Sequence, residues 1–111
     1  MKILMTPEGK KVQVDMSEDK CLYDAPEVHL LEERKRISLY YHKARSGKGY
    51  YYTYHWNGWL GSESSYELIT EDASKTFVME RASSCSRYIS GRVNEGNCCE
   101  LWGEDFFSED A

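Results

Sequence analysis

The sequence predicts an α+β fold: a small antiparallel sheet of hairpins packed against one helix, at about 71–90, in the C-terminal half. Three observations predict it. Two β-rich runs, residues 37–45 and 49–59, flank Ser46-Gly47-Lys48, a hairpin turn signal. Apolar residues alternate on either side of Thr6-Pro7-Glu8-Gly9, repeating that pattern near the N-terminus. Val78, Ala82, Cys85 and Ile89 then recur at helical spacing. The 111 residues are read as one domain, 1–111, with 104–111 as a flexible acidic tail. Dividing so short a chain would bring each half near the size at which disulfides or metals become necessary.

Residues 2–15 read as the first hairpin, with Ile3 and Met5 alternating on one arm and Val12 and Val14 on the other. Residues 16–20 are a polar connector. The stretch from Cys21 to Leu31 leaves two readings open. Pro26 suits the first position of a short helix with Val28 and Leu31 on one side. The residue before a proline also prefers an extended backbone, which suits an irregular strand.

In the central hairpin, Gly47 and Gly49 are expected to supply the positive φ values of a tight turn. Period-two reading puts Tyr50, Tyr52, Tyr54 and Trp56 on one side and Tyr51, Thr53 and His55 on the other. On the partner strand, Ile37, Leu39, Tyr41 and Lys43 oppose Ser38, Tyr40, His42 and Ala44. A turn that sets residue 44 opposite 50 unites Tyr40, His42, Tyr50, Tyr52, Tyr54 and Trp56 in one aromatic face. A one-residue change in the turn would exchange the sides. A lone hairpin is marginally stable, so the aromatic side is expected to pack on the helix that follows.

Ser65-Tyr66-Glu67-Leu68-Ile69 reads as a further strand. Thr70 is a candidate cap, and Glu71 and Asp72 favour the positive end of a helix dipole. Phe77 and Tyr88 widen the apolar stripe, and Gly91 ends the helix. Residues 92–111 read as a glycine-punctuated acidic strip anchored by Leu101-Trp102 and Phe106-Phe107.

Composition limits the function classes. With 41% apolar and 30% charged residues, the chain is neither collagenous, membrane-embedded nor wholly disordered. No stretch approaches the roughly 20 apolar residues of a membrane span, and the first residues lack a signal-peptide core, so a cytoplasmic protein is expected. Thiols would be reduced there. Cys21, Cys85, Cys98 and Cys99 include no C-x-x-C pair, and His29, His42 and His55 are scattered, so neither a metal site nor a cofactor is predicted. Vicinal Cys98-Cys99 is a weak sign of metal or redox sensitivity.

Charge is split along the chain. Residues 1–62 carry 10 basic and 8 acidic groups, and residues 63–111 carry 4 and 11, so the formal −5 is +2 followed by −7. The cationic candidates are Arg34-Lys35-Arg36 with Lys43, Arg45 and Lys48. The phosphate-binding and nucleophile motifs of common enzymes are absent, and His42 and His55 fall on opposite faces, so no catalytic residues are predicted and a non-enzyme is expected.

The order of motifs resembles a family of small phage and mobile-element proteins with a YDTETA … LYRTKKGNWF … LISEEEA pattern. The residues that carry it are Leu22-Tyr23-Asp24-Ala25-Pro26-Glu27-Val28, the run from Leu39 to Tyr51, Tyr54-His55-Trp56-Asn57-Gly58-Trp59, and Leu68-Ile69-Thr70-Glu71-Asp72-Ala73. It spans roughly residues 22–82. It departs from the pattern where Ala25-Pro26-Glu27 replaces Thr-Glu-Thr and where Arg45-Ser46 lengthens the turn. The resemblance implies a small α+β fold in a mobile-element setting and carries no catalytic residues.

Tyrosine, tryptophan and arginine are enriched at interface hot spots, and complementary charge steers association. The leading expectation is therefore a phage-type protein that docks on a basic, nucleic-acid-binding surface and inhibits a bacterial defence complex, such as a CRISPR effector. Tyr51, Trp56 and Trp59 would make exposed contacts, and Glu95, Glu100, Glu104, Asp105, Glu109 and Asp110 would stand in for phosphates. The alternatives are a single-stranded nucleic-acid module using the aromatic hairpin beside Lys43, Arg45 and Lys48, or an accessory protein with no inhibitory role.

Overall fold

Glycine chemistry sets the central hairpin. In the computed structural model, which describes residues 2–24, 35–57, 65–82 and 92–107, Gly47 has φ +91° in the Ala44–Lys48 turn. That turn is closed by Ala44 N–H to Lys48 O (2.9 Å) and Gly47 N–H to Ala44 O (2.9 Å). Gly49 is needed for space instead: its φ is not positive, and a Cβ there would run into the Tyr41 ring. Strands β4 (Lys35–Lys43) and β5 (Gly49–Asn57) pair with His42 opposite Tyr50 and Tyr40 opposite Tyr52. The register lies two residues from the expected one, an even shift. The expected aromatic side of the hairpin therefore survives.

Around this pair the described strands build a five-stranded antiparallel sheet ordered β6-β5-β4-β3-β7, with β3 Lys20–Asp24, β6 Ser65–Ile69 and β7 Arg92–Val93. Strands β1 (Lys2–Met5) and β2 (Lys11–Val14) form a separate two-stranded sheet, and helices α1 (Glu71–Ala82) and α2 (Glu95–Trp102) complete an α+β architecture. Of the open 21–31 stretch, Cys21–Asp24 is strand, and residues 25–34 lie outside the described residues.

The layers differ from expectation. The even face of the hairpin packs on β1 and β2, not on a helix: Tyr52, fully buried, joins Leu4, Val12 and Val14, with Tyr40, Tyr50 and Tyr66 at the edges. Within β1 it is Leu4 that turns inward, opposite Val12, which leaves Ile3 and Met5 exposed. The helices cover the odd face, over Leu39 and Tyr51. A register irregularity between Cys21 and Tyr23 lets Leu22 and Tyr23 both join this second cluster, with Val78 of α1 and Cys98 of α2. Sequence alternation separates the two faces but cannot say which neighbour covers which. Each Leu- or Val-sized side chain so buried contributes roughly 1.5–3 kcal/mol.

Helix α1 begins as its cap chemistry dictates. Thr70 Oγ1 accepts from Ala73 N–H (3.1 Å), and Glu71 reaches Lys75 one turn on (3.5 Å). Ser74 and Val78 are its buried residues, but Ala82, expected on the same stripe, is exposed. The Arg81 guanidinium covers that edge instead, 3.4 Å from the Phe77 ring centroid and 5.4 Å from that of Tyr23. Cys85, Tyr88, Ile89 and the Gly91 cap lie outside the described residues.

Within the stretch that reads as a glycine-punctuated acidic strip, residues 95–102 form helix α2. Asn94 Oδ1 accepts from Asn97 N–H (3.0 Å) to open it, and Gly103, at φ +105°, donates to Cys99 O (2.8 Å) to close it. Asn97 Nδ2 donates to Cys21 O (2.8 Å), tying the helix to β3. Residues 104–107, expected as the start of an acidic tail, form a turn in which Phe106 and Phe107 pack back onto the cluster.

Burial holds three of these side chains protonated. The Cys98 thiol and the Tyr40 hydroxyl are each pushed up to about 12, chiefly by desolvation, and Tyr52 is raised by desolvation and then by its bond to Asp19. Their ordinary values are 9.0 for the thiol and 10.0 for the phenols. Above those values the folded state keeps protons that the unfolded state releases, so stability falls as pH rises. Urea midpoints are expected to decline progressively from about pH 9 toward pH 12, with a smaller decline in Cys98→Ala.

Candidate functional site: a cationic groove beside a tethered histidine

The connector between β2 and β3 is folded by its own polar side chains. Asp15 Oδ1 accepts from Ser17 N–H (3.0 Å) and Ser17 Oγ–H (2.7 Å), while Glu18 N–H and Asp19 N–H both donate to Asp15 O (3.0 and 2.8 Å). This tight turn aims Asp19 at the central hairpin. One carboxylate oxygen, Oδ1, lies 2.7 Å from His42 Nδ1. The other, Oδ2, accepts from the Tyr52 hydroxyl (2.7 Å) and from Asp15 N–H (2.9 Å). Asp19 is 9% exposed and His42 20%.

A carboxylate is acceptor-only, so the His42 nitrogen facing it carries the hydrogen. That assigns the ring's other nitrogen, Nε2, no hydrogen-bond partner among the described residues. Tyr52 can only act as donor here, since burial and the neighbouring carboxylate both resist its ionisation.

His42 lines a groove of about 790 Å³ between two turns. Lys10 and Lys11 come from the β1–β2 hairpin, and Lys43, Arg45 and Lys48 from the β4–β5 hairpin, with Tyr50 alongside. None of the five cations forms an ion pair within 4 Å of another described residue. The Glu8 carboxyl is nonetheless held below its usual range by hydrogen bonds from its own backbone and Thr6, and then by Lys48 and Lys10. Lys48 rests over the Tyr50 ring, 5.4 Å from its centroid. Three acids line the groove as well: Asp15 and Asp19 direct their oxygens to the connector, His42 and Tyr52, while Glu18 is exposed at its edge. The arrangement leaves a net cationic surface facing solvent on a chain of formal charge −5.

The residues expected to touch a partner are not brought together. Tyr51, expected to be exposed, is buried at 9%: its ring lies between Tyr41 and Trp102, and its hydroxyl accepts from Trp102 Nε1 (2.9 Å). The cause is the unexpected α2, which covers this face. Trp56 belongs to β5, but its side chain, Trp59, Glu109 and Asp110 lie outside the described residues. Glu95, Glu104 and Asp105 are exposed on α2 and the turn after it. Glu100, also exposed, pairs with Lys20 at 2.7 Å. Cys21, Cys98 and Cys99 are free thiols, and no metal-holding group of three or more His, Cys, Asp or Glu occurs among the described residues.

The sequence does place His42 on a face with Tyr40, Tyr50 and Tyr52, and singles out Lys43, Arg45 and Lys48. It misses Asp19, Lys10 and Lys11. Asp19 is 23 positions from His42, and no local motif links them. No family model, curated protein or solved structure matches the chain. No described helix is long and apolar enough to cross a membrane.

Proposed function

We propose that this protein binds the phosphate backbone of a single-stranded nucleic acid in the groove between the two hairpin turns. The convergence of five cations that form no ion pair among the described residues, from two turns far apart in sequence, carries the reading. Clustered cations gain affinity for a polyanion by releasing its condensed counterions. The stacking platform expected from the aromatic hairpin does not contribute as a whole, since Tyr51 and Tyr52 are buried, and Tyr50 is the aromatic residue at the groove. Of the −7 half, Glu95 and Glu100 sit on α2, which packs on the opposite face of the sheet from the β1–β2 hairpin.

Fluorescence anisotropy with a short labelled single strand tests this. Five phosphate contacts imply a log–log salt slope of about −3.5, or roughly 100-fold weaker binding at 200 mM than at 50 mM salt. Replacing Lys43, Arg45 and Lys48 together by Gln should flatten the slope to about −1.4. No binding at 50 mM salt would end the reading.

A second reading keeps the expected protein partner, with the acidic C-terminal face docking on a basic surface and inhibiting a defence complex. The exposure of Glu95, Glu104 and Asp105 around an anchored helix supports it. Capture of a purified basic nucleic-acid-binding effector should then be lost in Glu104→Gln/Asp105→Asn and retained in the Lys43/Arg45/Lys48 variant.

A further inference from the structure

We propose that the groove also cleaves RNA, with His42 Nε2 removing the proton of a ribose 2′-hydroxyl. The inference rests on the polyanion-binding reading and adds a reaction to it. Its ground is the geometry of His42, a ring held from one side by Asp19 and open on the other to the groove. The ring is bound at Nδ1 by a carboxylate whose second oxygen is itself held twice, by the Tyr52 hydroxyl and Asp15 N–H, so Asp19 cannot swing away. In the neutral ring such a bond fixes the tautomer and places the lone pair on the opposite nitrogen. Here the imidazole keeps 20% exposure and lines the cationic groove, and Nε2 has no partner among the described residues.

The chemistry balances without metal or redox partner. Nε2 takes the 2′-hydroxyl proton as the O2′–P bond forms. The P–O5′ bond breaks, and the departing 5′-oxygen takes a proton from a lysine ammonium of the groove, Lys10, Lys11, Lys43 or Lys48. The imidazolium and that lysine return to their starting states by exchange with water. The products are a 2′,3′-cyclic phosphate and a 5′-hydroxyl end. Extra negative charge on the phosphorus oxygens at the transition state faces the same cations that bind the strand, which is where fixed positive charge lowers a barrier most. Asp19 acts as a positioning residue through the ring, and His42 is the catalytic one.

The test uses the full chain, EDTA in the buffer, and a DNA oligomer carrying one ribonucleotide, labelled at both ends. Cleavage is expected only at the ribonucleotide, with a cyclic phosphate found by mass spectrometry. His42→Ala should lower the rate by about 10²–10⁴-fold, the usual contribution of a general base, in a variant whose urea midpoint shows it folded. Added imidazole should restore part of the activity of His42→Ala, a response that a structural role would not produce. Asp19→Asn should lower kcat more than it changes KM. A strand that binds but stays intact overturns the inference and leaves the binding reading standing, whereas absence of binding overturns both. Cleavage at undiminished rate in His42→Ala also overturns it.

Discussion

Asp19→Ala is expected to destabilise the protein by about 3–4 kcal/mol, because it strands three donors at once, each costing about 1–3 kcal/mol when buried. The Tyr52 hydroxyl belongs to a fully buried side chain, and Asp15 N–H and His42 Nδ1–H lose the same acceptor. The partial exposure of His42 and Asp15 keeps the sum below the maximum. Tyr52→Phe removes one donor and leaves Asp19 with the other two, so it should cost about 1.5 kcal/mol. Urea midpoints at constant m-value measure both. Equal losses for Asp19→Ala and Tyr52→Phe would show that the carboxylate does not hold the connector and hairpin together. The same substitution frees the imidazole, so the Nδ1 proton of His42 should become exchange-broadened in NMR spectra of the variant.

Trp102→Ala is expected to cost about 3 kcal/mol, the lower end for an aromatic truncation because this side chain is only half-buried. Trp102 joins the C-terminal elements to the sheet. Its ring stacks on Tyr51 (5.8 Å between centroids, 25° between planes) and meets Phe106 at 4.7 Å, and its indole N–H reaches the Tyr51 hydroxyl. Truncation removes the contact from both α2 and the turn after it, so amide exchange should quicken across residues 95–107 before it quickens in β4 and β5. Trp102→Phe keeps a ring on Tyr51 but drops the hydrogen bond, for a loss of about 1 kcal/mol. Uniform quickening across the whole sheet in Trp102→Ala would mean that α2 is not a separate layer closing over Tyr51. Neither change touches the groove, so salt-dependent strand binding should persist in folded Trp102→Ala.

The effects of the two substitutions fall on opposite faces of one hairpin. That division marks what could be read from residues alone. Alternation through Tyr50–Trp56 and Gly47 in the turn are local properties, and they specify strands, turn and faces whatever lies nearby. Thr70 with Glu71 and Asp72 likewise starts α1 by bonds within four residues. Helix α2 had comparable local signals, Asn94 before it and Gly103 after it, but Gly96 and an acidic, aromatic-rich context masked its period. Asn94 and Gly103 as a pair mark α2 in the sequence, but not the face of the sheet that it covers.

By itself, then, the sequence determined an α+β chain, its central hairpin, the strand before α1 and the cap that starts it, because those depend on backbone preferences and near-neighbour bonds. Only the tertiary structure decided that the N-terminal hairpin, not a helix, covers the tyrosine face, and that Asp19 meets His42 within a ring of cations drawn from two turns. Those pairings join residues tens of positions apart. Their energies come from burial and from donors finding distant acceptors, and no short-range pattern encodes either.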